Sequence, residues 1–144
     1  MSFRGEFKCK LDSKGRLVLP AKIKSALPED SIRMILGQGF DKCLILYTST
    51  EFKKLEAQVS GLSEFNPDAR RLRRNFFRGI EDVELDGMGR ILIPRRLKEF
   101  AGLEKEAILV GTGKNVEIWD AEAYENEMYS DEEYSQKTQE LLDL

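Results

Sequence analysis

Leu11-Asp12-Ser13-Lys14-Gly15-Arg16-Leu17-Val18-Leu19-Pro20 returns as Leu85-Asp86-Gly87-Met88-Gly89-Arg90-Ile91-Leu92-Ile93-Pro94, 74 residues further on as counted from Asp12 to Asp86. The same offset pairs Ile23 with Leu97, Lys24 with Lys98, Ile35 with Leu109, Gly37 with Gly111 and Gly39 with Gly113. Beyond Gly39 the first copy carries two extra residues, after which Leu44, Leu46, Tyr47 and Phe52 answer Val116, Ile118, Trp119 and Tyr124. Register held over that length makes each copy a complete supersecondary unit. Two units, rather than an array, imply a pseudo-symmetric pair burying one common face, with neither half able to stand alone.

Size agrees with one shared core. A chain of 144 residues with 41% hydrophobic content closes one modest core and hardly two. No apolar run approaches the roughly 18 residues of a membrane span, and Met1-Ser2-Phe3-Arg4-Gly5-Glu6 has no signal-peptide core, so a cytoplasmic protein with no membrane partner is expected. Cys9 and Cys43 are the only cysteines and histidine is absent, which leaves no zinc site of the usual Cys/His kind; both thiols read as reduced and half-buried. No metal and no cofactor is expected.

Overall charge conceals the distribution. The net of −3 hides nine acids against one base in residues 120–144, which leaves +5 on residues 1–119. The bases are bunched: Arg4, Lys8, Lys10, Lys14, Arg16, Lys22 and Lys24 near the start, then Arg70, Arg71, Arg73, Arg74 and Arg78, then Arg95, Arg96 and Lys98. Such asymmetry is a footprint of polyanion binding, although solvated basic faces also arise without any ligand.

Phe7–Leu11 reads as a strand with Lys8 and Lys10 outward, and Arg16–Leu19 as its hairpin partner across the turn Asp12–Gly15. Pro20 and Pro94 fit the first position of short helices that turn Ile23 and Leu27, or Leu97 and Ala101, inward, with Gly102 as a stop. Ile32–Leu36 with Leu44–Tyr47, and Ala107–Val110 with Val116–Trp119, read as second hairpins. Each copy is therefore ββαββ, and the class is mainly β with short helices, α+β. The organisation is a first repeat over 1–47, a helical linker over 48–79, a second repeat over 80–119 and an acidic C-terminal helix or tail over 120–144.

In the linker, Phe52, Leu55, Val59 and Leu62 recur at helical spacing after Ser49 and Thr50, which can cap, and Gly61 ends the run. A second helix starts at Asn66-Pro67 with Ala69, Leu72, Phe76 and Phe77 on one face and Arg71, Arg74 and Arg78 on another. That arginine stripe meets either DNA phosphates or acidic side chains of a neighbouring copy such as those around Asp131–Glu133; the second is favoured, since a linker helix hardly shares a face with both hairpin turns. From Ser130 onward the tail is either a partly ordered helix or a frayed terminus, with Tyr134, Leu141 and Leu142 as available anchors.

In Asp-x-x-x-Arg the acid opens the turn and the base leaves it, so the aspartate orders the loop that aims the arginine. Asp12 and Asp86 act with Gly15 and Gly89 as turn-ordering residues, the glycines supplying positive φ. The planar guanidinium of Arg16 or Arg90 is suited to a guanine edge or a phosphate, unless both pairs merely hold their hairpins. Lys14 stands at the first tip and Met88 at the second, so the first turn is expected to carry more affinity.

Both signatures resemble those of the MraZ family, a tandem form of the AbrB-like swapped-hairpin fold. The likeness extends through Phe3-Arg4-Gly5, Asn66-Pro67-Asp68-Ala69-Arg70-Arg71, Ala101-Gly102-Leu103, Leu109-Val110-Gly111 and Glu117-Ile118-Trp119. The resemblance implies a pseudo-dimeric swapped-hairpin β-barrel and a bacterial transcriptional regulator of the division and cell-wall gene cluster, assembled as a closed, octamer-like ring on double-stranded DNA. By the same resemblance Lys14, Arg16 and Arg90 are the DNA-binding residues, with Lys8, Lys10 and Lys22 as further candidates. Identical tips related head to tail around a ring would match short direct repeats in the promoter.

Two other classes compete. Gly111-Thr112-Gly113-Lys114 faintly resembles the end of a phosphate-binding loop, but Asn115 stands where Ser or Thr holds magnesium and Ile108 where the first glycine belongs. With no histidine and no nucleophile beside a base, neither catalysis nor a small-molecule substrate is expected. The stronger rival is a protein-interaction module of antitoxin type, since AbrB-like folds also carry acidic tails that wrap a toxin; against it, this tail is short and the second barrel half lies in the same polypeptide.

Overall fold

Both copies fold in the order their sequences imply, and the expected second hairpin closes within each copy, but the first two strands of each copy find their partners in the other. The computed structural model describes residues 2–28 and 31–143. The first copy supplies β1 (Glu6–Lys10), β2 (Arg16–Val18), α1 (Ala21–Ala26), β3 (Arg33–Gln38) and β4 (Leu44–Tyr47). After α2 (Ser49–Ser60) and α3 (Pro67–Arg78), the second copy gives β5 (Ile80–Glu84), β6 (Arg90–Leu92), α4 (Arg95–Phe100), β7 (Glu106–Gly111) and β8 (Val116–Asp120), followed by α5 (Ala121–Asn126) and α6 (Asp131–Leu142). The architecture is mixed α+β, mainly strands with short helices.

Six strands form one sheet in the order β1-β7-β8-β4-β3-β5, and β2 with β6 forms a separate two-stranded ribbon. Exchanging each strand for its counterpart reverses that order and otherwise leaves it unchanged, so a pseudo-twofold axis runs between β4 and β8. On it Ile45 pairs with its counterpart Glu117. The ribbon lies on the same axis, with Leu17 opposite its counterpart Ile91. Flanking bonds repeat the symmetry: Leu19 N–H donates to Gly89 O and Ile93 N–H to Gly15 O, both at 3.0 Å.

This pairing corrects the expected first hairpin. Asp12 N–H donates to Arg16 O at 2.9 Å and Leu11 bridges Leu17, but there the ladder between β1 and β2 stops. β1 departs to pair with β7, from Glu6 opposite Val110 to Lys10 opposite Glu106, and β5 pairs with β3. Alternation along Phe7, Cys9 and Leu11 marks a strand with one buried face without naming its partner. Among the described residues the sheet is open, with β1 and β5 at its edges, in place of the expected closed barrel.

Exchange gives one main core. Leu17, Leu36, Leu44, Ile91, Leu109 and Ile118, three from each copy, are wholly shielded from solvent in a single cluster. Gly111 lets the incoming N-terminal segment cross β7, because a Cβ there would strike the backbone of Phe3 and Arg4. Its N–H donates to Gly5 O at 2.9 Å, and Phe3 and Gly113 exchange backbone hydrogen bonds.

Helix boundaries differ from expectation in two places. Pro20 and Pro94 are N-cap residues, with ψ of 144° and 143° and helices beginning at Ala21 and Arg95. An extended proline still offers the carbonyl that opens the helix, as Pro20 O does to Ile23 and Lys24 N–H. α2 is capped by Thr48, one residue before the expected pair, through Thr48 Oγ1 accepting from Glu51 N–H at 3.3 Å. Asn66 caps α3 as its sequence implies, accepting from Asp68 and Ala69 N–H.

An aromatic chain ties these helices to the sheet: Tyr47 meets Phe52 edge-on at 5.5 Å between centroids, Phe52 stacks on Phe76 at 6.0 Å, and Phe76 meets Phe77 edge-on at 5.1 Å. The apolar face expected on α3 is only partly used. Ala69 is buried, whereas Leu72 and Phe77 stay exposed. The tail is helical, α6 opening with a capping box between Ser130 and Glu133, and its intended anchors Tyr134, Leu141 and Leu142 remain exposed.

Because Leu17 and Ile91 face each other on the axis, Leu17→Ala and Ile91→Ala are each expected to cost about 2–5 kcal/mol in urea unfolding. The double variant is expected to lose less than the sum of the singles. Full additivity would mean that the two side chains do not share one packing site.

Candidate nucleic-acid interface

Both Asp-x-x-x-Arg turns are built alike. Asp12 Oδ1 accepts Lys14 N–H and Arg16 N–H at 2.9 Å each, and Oδ2 accepts Arg16 Nε–H at 2.7 Å. Asp86 Oδ1 accepts Met88 and Arg90 N–H at 2.9 Å each, and Oδ2 takes Arg90 Nε–H at 2.8 Å. One oxygen thus fixes the backbone while the other fixes the arginine. Gly15 and Gly89 close the turns at φ 81° and 74°, where a side chain is strained.

The Arg16 backbone N–H does most to lower the Asp12 carboxyl, partial desolvation opposes it, and the Arg16 side chain and Lys14 N–H lower it further, to about 2 against an ordinary 3.8. Asp86 is lowered through the corresponding groups, led by the Arg90 backbone N–H. Partial exposure makes the ion pairs weak contributors to stability. Their effect is orientation: each guanidinium is held through Nε, and neither its Nη1 nor its Nη2 hydrogen-bonds within the described residues.

Register sets the face on which these groups stand. Arg16 lies opposite Leu92, Leu17 opposite Ile91 and Val18 opposite Arg90. Leu17 and Ile91 point into the core, so Arg16, Val18, Arg90 and Leu92 share the outward face of the ribbon.

Cations gather around that face from both copies. Lys14 is exposed at the first tip, beside a hollow also lined by Leu92, Arg95 and Lys98. Lys8 and Lys10, on the outward side of β1, line a second hollow with Val18 and Lys24. A Cβ on Gly89 would lie 2.6 Å from Lys24 Nζ, so α1 of the first copy brings an ammonium to the turn of the second. The second turn therefore has a lysine nearby despite Met88, which removes the reason for ranking it well below the first. Lys22 is exposed on α1 but is not among the residues that line either hollow.

Sequence reading missed Lys24 and Lys98 as members of this constellation. Their signal was present, since they are counterparts in the repeat, but only the crossing of the copies carries each lysine to the opposite turn. Elsewhere the arginines of α3 divide. Arg70 Nη1 donates to Glu64 O at 2.9 Å and Arg73 Nη2 to Leu62 O at 2.5 Å, clasping the α2–α3 connection. Arg71 and Arg74 make no side-chain hydrogen bond within the described residues and stand exposed. Among the described residues no cluster of His, Cys, Asp or Glu is arranged to hold a metal, and no helix is long and apolar enough to cross a membrane.

Such a fold defines a tandem-repeat α+β protein whose copies exchange strands and jointly present a two-stranded ribbon ringed by cations. The family model "MraZ protein, putative antitoxin-like" matches residues 2–75 and again residues 76–144. Transcriptional regulator MraZ of Cytophaga hutchinsonii is 49% identical over 142 residues, spanning 97% of this chain and 94% of that protein. The chain belongs to the MraZ family. The second match begins inside α3, at Phe76-Phe77-Arg78-Gly79, just as Phe3-Arg4-Gly5 opens the first copy.

A lowered carboxyl pKa gives stability that is full above the unfolded value and lost as pH falls through the folded one. The Asp12 turn is therefore expected to hold below pH 3.8 and to open near pH 2. Carboxyl-carbon NMR titration is the check; an Asp12 midpoint at the ordinary value would mean that the turn bonds do not hold in solution.

Proposed function

We propose that this chain is a sequence-specific DNA-binding transcriptional regulator; the name of its Cytophaga relative gives transcriptional regulation for that protein. The observation that carries the reading is the pair of Asp-held arginines with free Nη groups on an exposed two-stranded ribbon. A β-ribbon fits the major groove, and an arginine held through Nε keeps two donors for guanine O6 and N7 or for a phosphate. Arg16, Arg90 and Lys14 are the principal contacts, Lys8 and Lys10 flank them on phosphates, and Lys22 is a peripheral contact. The target is the promoter of the division and cell-wall gene cluster.

One ribbon with two arginines discriminates modestly, at about 1–3 kcal/mol for each good base contact. Several ribbons acting together would raise selectivity, which supports a ring of copies on short direct repeats. Exposed Leu72, Phe77, Arg71 and Arg74 on α3, and the acidic α6 with exposed Tyr134 and Leu141, offer surfaces of complementary charge for such an assembly. The exchange of strands between the copies supports a swapped-hairpin fold of the AbrB-like kind.

Fluorescence anisotropy with the chain's own upstream DNA against scrambled DNA, across a salt series, tests the reading. Arg16→Ala and Arg90→Ala are each expected to weaken specific binding by about 1–3 kcal/mol without lowering the melting temperature. Lost stability with unchanged affinity would return both arginines to a purely structural role. A stoichiometric protein partner with no DNA shift would favour the antitoxin-like reading instead.

Inserting about 5 base pairs between repeats is expected to weaken binding sharply, and about 10 to restore part of it. Equal affinity at every spacing would mean that chains bind independently. Truncation after Tyr129 is expected to lower the assembled mass in light scattering.

A further inference from the structure

Between the two arginines the ribbon carries a feature that neither ion pairing nor folding explains. Val18 and Leu92 are counterparts in the repeat, and both point outward from a two-stranded ribbon that has no covering layer on that side. They are 53% and 55% exposed, while Leu17 and Ile91 beside them are fully buried. A solvent-facing strand position gains only modest strand propensity and cross-strand packing from an aliphatic side chain, and here both copies place one at the same site. Each is set beside an arginine, Val18 opposite Arg90 and Leu92 opposite Arg16. Each also lies in a hollow with a mainly cationic rim, Val18 with Lys8, Lys10 and Lys24 against the single acid Glu6, and Leu92 with Lys14, Arg95 and Lys98.

Apolar patches this small in a mainly positive rim do not suit a neutral lipid or an apolar protein surface, because the rim would have to be desolvated unpaired, and they are too small to anchor the chain in an anionic bilayer. They suit the floor of a DNA major groove, whose phosphates meet the rim and whose one apolar group is the thymine C5-methyl. We infer that Val18 and Leu92 are specificity-determining residues that read thymine methyl groups, next to the bases or phosphates met by Arg90 and Arg16. This deepens the DNA-binding reading and rests on it. The arginines would favour guanine through hydrogen bonds while the aliphatic pair favours thymine through contact alone, so one ribbon would read two kinds of base pair.

The test uses the full chain, its own upstream duplex, and the same duplex with deoxyuridine in place of thymidine, which removes only the methyl groups. Binding to scrambled DNA is measured alongside. Wild type is expected to lose affinity by about fourfold for each methyl in contact, the value of burying one such carbon. The Val18→Ala/Leu92→Ala variant is expected to bind the thymidine duplex more weakly, to melt as wild type does, and to bind both duplexes equally. Specific binding by wild type that ignores deoxyuridine overturns the inference while leaving the DNA reading intact. So does a variant that keeps the full thymidine preference, or one whose only change is in assembled mass, which would make the face a contact between copies. No preference of wild type for its own DNA over scrambled DNA overturns the function and the inference together.

Discussion

β2 and β6 are three residues each, and neither has a ladder within its own copy. A strand that short is not stable alone, so the ribbon exists only because two counterparts meet across the pseudo-twofold axis. Leu17 and Ile91 are buried by that meeting, and both arginine-bearing turns are hung from its ends by the bonds of Leu19 to Gly89 O and Ile93 to Gly15 O. Folding and the geometry of the candidate site are therefore one event. Separating the copies would leave the core open and the arginines on unpaired loops at once.

How much of this was legible follows from what each signal encodes. The repeat, the ββαββ order and the turn chemistry were readable, because Asp-x-x-x-Arg, proline and alternating apolar residues act locally. Partner choice was not. Phe7, Cys9 and Leu11 describe a half-buried strand equally well beside β2 or beside β7, and only the geometry of two copies decides between them. The same gap hid Lys24. Its place in the sequence, next to the first signature, pointed to the first turn, whereas exchange carries it to Gly89 of the second. The apolar stripe of α3 departs from expectation for a different reason: amphipathicity marks a face without saying whether this chain covers it, and Leu72 is left open.

Pseudo-symmetry is exact in topology and broken in charge. Lys8 and Lys10 on β1 have as counterparts Asp82 and Glu84 on β5, so the two edges of one sheet carry opposite signs. Glu84 is engaged by Arg33 at 2.8 Å, from the strand beside it. A strictly symmetric pair would offer a polyanion two equal approaches. Here the lysine edge would attract it and the acidic edge would repel it, which under the proposed DNA-binding function would orient the ribbon on a duplex in one direction. Under that proposal the polarity would suit head-to-tail repeats, and a palindrome would not exploit it.

The turns add rigidity to that orientation. A free arginine loses much rotamer entropy on binding, of the order of 2 kcal/mol for a long side chain. Asp12 and Asp86 remove part of that cost in advance by holding Nε, and they do so with a carboxylate that stays ionised far into acid. The carboxylates also repel phosphate, so the arrangement makes sense only where the Nη groups reach past the acid to a partner further out. Val18 and Leu92 share the outward face with the arginines and, as shorter side chains, rise less far from it. A partner that takes the Nη donors at full reach would have to project toward the ribbon to touch the two aliphatic side chains, as a thymine methyl projects from the edge of its base.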